Sequence, residues 1–115
     1  MSQDQRHNNN HRIAQLEALL QEQPNDCFLL HALGLEHVKL GDIDKAIELF
    51  ECVVKTDETY VGTYYHLAKA LELKGDKDAA VAVYNKGIGI AMSQRNTHTA
   101  SELRSALEIL TEDDD

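Results

Sequence analysis

The side chains able to do chemistry in this 115-residue chain are six histidines, two cysteines and an excess of carboxylates. Metal binding is tested first, because a zinc site needs three or four ligands at set spacing. His7 and His11 stand in a polar N-terminal stretch. His31 and His37 are six residues apart, roughly 240° around a helix, so they do not share a face. The helical zinc motif H-E-x-x-H is absent. No metal site is expected, and the histidines read as the polar rim of a binding surface or as plain surface residues.

Catalysis needs a nucleophile within reach of a base, and a base oriented by a third group. Neither arrangement is present. Cys52 shares a helix face with Lys45, Glu48 and Lys55, which describes a free surface thiol without a pocket. Gly87-Ile88-Gly89 has no following Lys or Thr and so is no phosphate loop. The expectation is a non-enzyme without cofactor. Cys27 and Cys52 form no C-x-x-C pair, which fits a reducing compartment. Twenty acidic against eleven basic residues give a formal charge of −9, which repels nucleic acid and anionic membranes. The opening MSQDQRHNNNHR lacks a secretory apolar run, and no segment approaches the roughly 20 apolar residues that span a bilayer. A cytoplasmic protein is expected.

The elements that must position these residues recur. Cys27–Tyr60 laid over Val61–Gln94 pairs Leu33 with Leu67, Gly41 with Gly75, Asp42 with Asp76, Ala46 with Ala80 and Phe50 with Tyr84, a gapless period of 34 residues. Within each copy, Gly41 or Gly75 stops one helix, and Asp42 or Asp76 caps the next. So short a turn forces the two helices antiparallel and side by side. The spacing predicts helices over about 27–40, 43–54 and 59–74, and one that Asp76 caps and that carries Ala80, Val81, Val83, Tyr84 and Ile88. A further short helix runs from Ile13 to just before Pro24, and a last one covers about 97–111. Residues 1–10 read as a disordered arm, 11–111 as one helical domain with full repeats 27–60 and 61–94, and 112–115 as a solvated acidic tail. Gly87 and Gly89, inside a helix, call for a close approach or a bend.

This pattern resembles the tetratricopeptide repeat family, in its small bacterial type. The first copy supplies Leu30, Leu33, Gly34, His37, Ala46 and Phe50, and the second Tyr64, Leu67, Ala68, Leu71, Ala80 and Tyr84. His37 and Leu71 replace the family's usual aromatic, and Glu58 and Met92 stand at its proline position. The resemblance implies an all-α, right-handed α-α superhelix of about six helices: two full repeats, a preceding half-repeat and a C-terminal capping helix. Gly34, Ala46, Ala68 and Ala80 would sit where helices approach closely, and Phe50 and Tyr84 between successive hairpins.

By the family's pattern, the first helix of each repeat lines a concave groove. Its lining would include Phe28, His31, Leu35, Val38, Tyr65, Lys69 and Glu72, with Thr99, Leu103 and Ala106 added by the last helix. Lys69 would be the central cation of an apolar strip, and His31 and His66 would face each other across neighbouring helices. The family's carboxylate clamp is not expected, because its places hold His31, Leu35, His66, Asn96 and Ala100. The reading is therefore an adaptor that binds a protein or peptide in the groove and catalyses nothing. Its rival is a structural module pairing two chains into a homodimer, since two repeats are few for a stable stack. A metal-binding protein or enzyme comes third.

Overall fold

The computed structural model describes residues 3–114, with side chains from 10 to 114. They form α1 (Gln3–Glu22), α2 (Cys27–Leu40), α3 (Ile43–Thr56), α4 (Gly62–Lys74), α5 (Lys77–Ser93) and α6 (Thr97–Thr111), with no strand among the described residues. Packing runs almost wholly between helices adjacent in the chain, with a smaller contact of α2 on α4. That is successive stacking of hairpins, not a closed bundle.

The turns explain the topology. Gly41 and Gly75 take φ of 81° and 89°, the left-handed region that a Cβ disfavours. Each places the next amide on a carbonyl one turn back: Asp42 N donates to His37 O and Asp76 N to Leu71 O, both at 2.9 Å. The same two aspartates then accept from the backbone N–H of Lys45 and Ala79, starting α3 and α5. The third turn closes the same way, Asn96 N donating to Ala91 O at 2.9 Å. There the left-handed residue is Arg95, with φ of 58°, which no glycine announces in the sequence.

Three apolar clusters fill the stack. Leu16 of α1 joins Leu29, Leu30, Leu33, Leu49 and Val53; Ala46, Phe50, Leu67, Leu71 and Ala80 form the second; Tyr64, Ala68, Tyr84, Leu103 and Ala106 form the third. Gly34, Ala46, Ala68 and Ala80, the small residues expected where helices approach closely, are all buried. A Cβ on Gly34 would stand 2.4 Å from the Phe50 ring, so glycine there admits the aromatic. Gly87 is matched to a close approach, since its Cβ would lie 2.7 Å from that of Tyr64, whereas Gly89 meets nothing within 4 Å.

Three boundaries differ from the sequence expectation. α1 reaches back to Gln3, so residues 3–10 are helical and not a disordered arm; residues 1 and 2 lie outside the described ones. Ile13, Leu16 and Leu20 anchor α1 on the first cluster. Extending an anchored helix through a stretch free of Pro and Gly adds one hydrogen bond per residue fixed, without a new nucleus. α4 begins at Gly62, not Thr59, because Asp57 accepts from the Thr59 amide at 3.0 Å and holds a local turn instead. The acidic end is not wholly solvated either: Lys77 reaches Asp114, while Asp115 lies outside the described residues.

Candidate functional site

Phe28, His31, Leu35 and Val38 follow one another at helical spacing and so share a face of α2. With Ala32, Glu36 and Lys39 of α2, Arg12 of α1 and His66 of α4, they line a hollow of about 470 Å³. Phe28 is 64% exposed, a large apolar ring left in water. Leu35 and Val38 are half-buried and pack on the second cluster.

Part of the hollow's wall is formed by imidazole rings. His31 Nδ1 lies 2.7 Å from the hydroxyl of Thr63, itself fully buried. The His31 ring stands 5.2 Å from that of His66, edge to face, and 5.5 Å from that of Phe50. Burial, and then the neighbouring His66, push the His31 pKa down to about 4; burial lowers that of His66 as well. Two neutral rings meeting edge to face make a packing surface. Among the described residues, no three His, Cys, Asp or Glu side chains are grouped to hold a metal ion.

Glu36, which the sequence reading passed over, is the buried charge of this site. It is 2% exposed. Its Oε2 meets Arg12 Nε at 3.3 Å and Lys39 Nζ at 3.1 Å, while Oε1 has no hydrogen-bond partner. The signal for it was present in the register: Glu36 falls three and four places after the buried Leu33 and Ala32, on the stripe that faces the protein. A carboxylate there requires cations from elsewhere.

The second half of the groove lies between α4 and α6. Tyr65 borders two hollows of about 340 Å³ each, one shared with His66, Thr99, Glu102 and Leu103, the other with Lys69, His98, Ser101, Ala106 and Ile109. Leu103 and Ala106 are buried core and contribute little open surface. Lys69, expected as the central cation of the strip, has a side chain that is 41% exposed. Its ammonium lies 3.7 Å from Glu72 and 5.7 Å from the centre of the Tyr65 ring. Glu72 borders none of these hollows, because it accepts the hydroxyl proton of the fully buried Tyr84. Burial and this carboxylate hold the Tyr84 pKa far above the usual phenol range. Phe28, His31, Leu35 and Val38 are therefore brought together, Tyr65 and Lys69 form a second group, and Glu72 looks inward.

Burial, then the Asp57 carboxylate, raise the pKa of Cys27, whose Sγ points at Val53 O; Cys52 is exposed on the outer side. No described helix is long and apolar enough to cross a membrane.

Comparison with known proteins adds the following. The family model described as tetratricopeptide repeat matches residues 29–60 and 61–91. A tetratricopeptide repeat domain protein from Salinibacter ruber, solved by NMR, is 38% identical over 79% of this chain and 92% of its own, with a TM-score of 0.75. PcrH in complex with the chaperone binding region of PopD superposes over 98% of this chain and 86% of its own, with a TM-score of 0.86 at 21% identity. The type III secretion translocator chaperone SycD from Yersinia enterocolitica covers 95% of this chain, and 76% of its own length is matched, with a TM-score of 0.83 at 19% identity. The last two are likenesses of fold. None of the curated proteins matches.

Proposed function

The chain belongs to the tetratricopeptide repeat family, and on that premise we propose that it is a non-catalytic adaptor that holds a protein or peptide segment in its concave groove. The observation that carries this is Phe28, 64% exposed at the rim of an open hollow whose other apolar walls are Leu35 and Val38. An exposed large ring beside half-buried aliphatic side chains is surface suited to a partner's apolar side chains. Tyr65, with its ring edge on His66, continues the strip toward α6. His31 supplies neutral packing surface, and Lys69 borders the strip as a cation paired with the inward-turned Glu72. The fold likeness to PcrH, solved with a segment of PopD, supports a polypeptide as occupant. The place of work proposed is the cytoplasm.

A second copy of the chain is the rival occupant, favoured by Leu19, 46% exposed beside a further hollow on α1 that Leu16 and Ala18 also line. Light scattering over a concentration series separates the two readings. For the adaptor, proteins captured on the immobilised chain would be identified by mass spectrometry, and the bound segment titrated as a synthetic peptide. Phe28→Asp, at an exposed position, should leave the melting curve unchanged and weaken that peptide by at least about tenfold, or 1.4 kcal/mol. Equal affinity in Phe28→Asp and Tyr65→Ala would remove the groove from consideration.

A further inference from the structure

The end of the groove between α1 and α2 carries a charge opposite in sign to that of the whole chain. Arg12 and Lys39 converge on one oxygen of Glu36, at 3.3 and 3.1 Å. The two cationic side chains are 58% and 57% exposed, whereas that of Glu36 is 3% exposed. Two exposed positive charges against one buried negative leave a local balance of +1, in a chain of net charge −9. Among the described residues, neither cation has another acidic partner.

Donor arithmetic points the same way. A guanidinium offers five N–H donors and an ammonium three, and a single carboxylate oxygen cannot absorb them. Glu36 thus holds both cations in place by one atom and leaves most of their donors to solvent. Its own Oε1 is buried and has no hydrogen-bond donor, so the binding contribution of this end rests on the exposed cations. The rest of the lining, namely Phe28, His31, Ala32, Leu35, Val38 and His66, brings no further carboxylate.

Building on the groove reading above, we propose that this end of the groove selects an acidic, amphipathic polypeptide segment. An apolar side chain seats on Phe28, Leu35 and Val38, and a neighbouring Asp or Glu carboxylate bridges Arg12 and Lys39. A basic segment meets net positive charge here and is disfavoured, and a neutral one leaves the exposed donors unused. Glu36 lies beneath the two cations, and its buried charge partly offsets the field they present to a ligand.

The test uses the full chain and fluorescent peptides that share one apolar pattern and differ only in flanking Glu, Gln or Lys, read by anisotropy. The Glu peptides should bind at least about tenfold tighter than the Gln peptides, and the Lys peptides more weakly than either. Arg12→Gln combined with Lys39→Gln should erase the difference between the Glu and Gln peptides. Glu36→Gln removes the offsetting charge, so it should tighten the Glu peptides; simple structural damage would loosen them, which separates charge from folding. Equal binding of Glu and Gln peptides, or Glu36→Gln binding that falls, overturns the selectivity. If all peptides bind alike and Phe28→Asp abolishes them all, the groove reading stands and only the acidic preference is lost. If no peptide binds, both go.

Discussion

Phe50 and Tyr84 occupy the same place in two hairpins, both fully buried, yet their surroundings solve the same packing problem differently. Around Phe50, the facing α2 position is Gly34, where a Cβ would come within 2.4 Å of the ring, and the groove-side residue is Val38. Around Tyr84, the corresponding positions are Ala68 and Glu72, and Glu72 accepts the tyrosine's hydroxyl proton. A buried hydroxyl requires a partner, so the second hairpin turns a groove carboxylate inward. The first has no hydroxyl to satisfy and keeps an aliphatic wall on the groove. The choice of core ring therefore reaches the binding face: the first hairpin offers an apolar hollow, and the second a closed charge couple of Lys69 and Glu72.

Exchange of the small residues tests this contrast most severely. Gly34→Ala should destabilise the protein by about 1–3 kcal/mol in urea unfolding, because the added Cβ would overlap the ring of the fully buried Phe50. Helix propensity alone argues the opposite sign, a gain of up to about 1 kcal/mol. A stabilised Gly34→Ala would show that the ring yields, and the two hairpins would no longer differ in kind. The polar pair comes next. Tyr84→Phe should cost about 0.5–1.5 kcal/mol. Adding Glu72→Val, which gives the second hairpin the residues of the first, should recover part of that loss. Strict additivity of the two changes would mean that hydroxyl and carboxylate are not coupled.

The mildest test is titration, because the imidazole pair sits on the Phe50 side alone. His31 has an ordinary pKa of 6.5 that folding lowers to about 4, and His66 shifts the same way. The unfolded chain then binds more protons than the native one between these values, so their contribution to stability rises with pH in that window. It is complete above about 6.5 and is lost as pH falls toward about 4. The effect is small, since both rings are half-exposed and screened by water. Thermal melts of the protein and of a His31→Asn, His66→Asn variant should converge on acidification from pH 6.5 to 4. Parallel curves would place the imidazoles in a more hydrated setting than their packing implies.

Much of the architecture was legible because it is encoded over short stretches. The limits of α2 emerge where the sequence puts them, since Asp26 caps its start and Gly41 ends it within a few bonds. Residues 3–10 misled because their polarity says nothing about a helix already anchored further on at Ile13 and Leu16. The break before α6 was legible, but the left-handed residue that makes it was not, because Arg95 is not glycine. In the groove, Phe28, His31, Leu35 and Val38 were readable as one face of one helix. Lys69 and Glu72 were placed on the right helix, but the hydroxyl that Glu72 accepts was not legible, because it comes from α5.

The amino-acid order by itself determined the 34-residue period, the helix stops and caps, and which small residues face large ones, because each depends on backbone dihedrals and spacing along a single helix. Only the tertiary structure decided which polar groups meet between helices. Arg12 reaches Glu36 because α1 stacks on α2, and Tyr84 reaches Glu72 because α5 stacks on α4. Such pairings depend on how far one helix stands from the next and how it is rotated, and no periodicity within a helix carries that information.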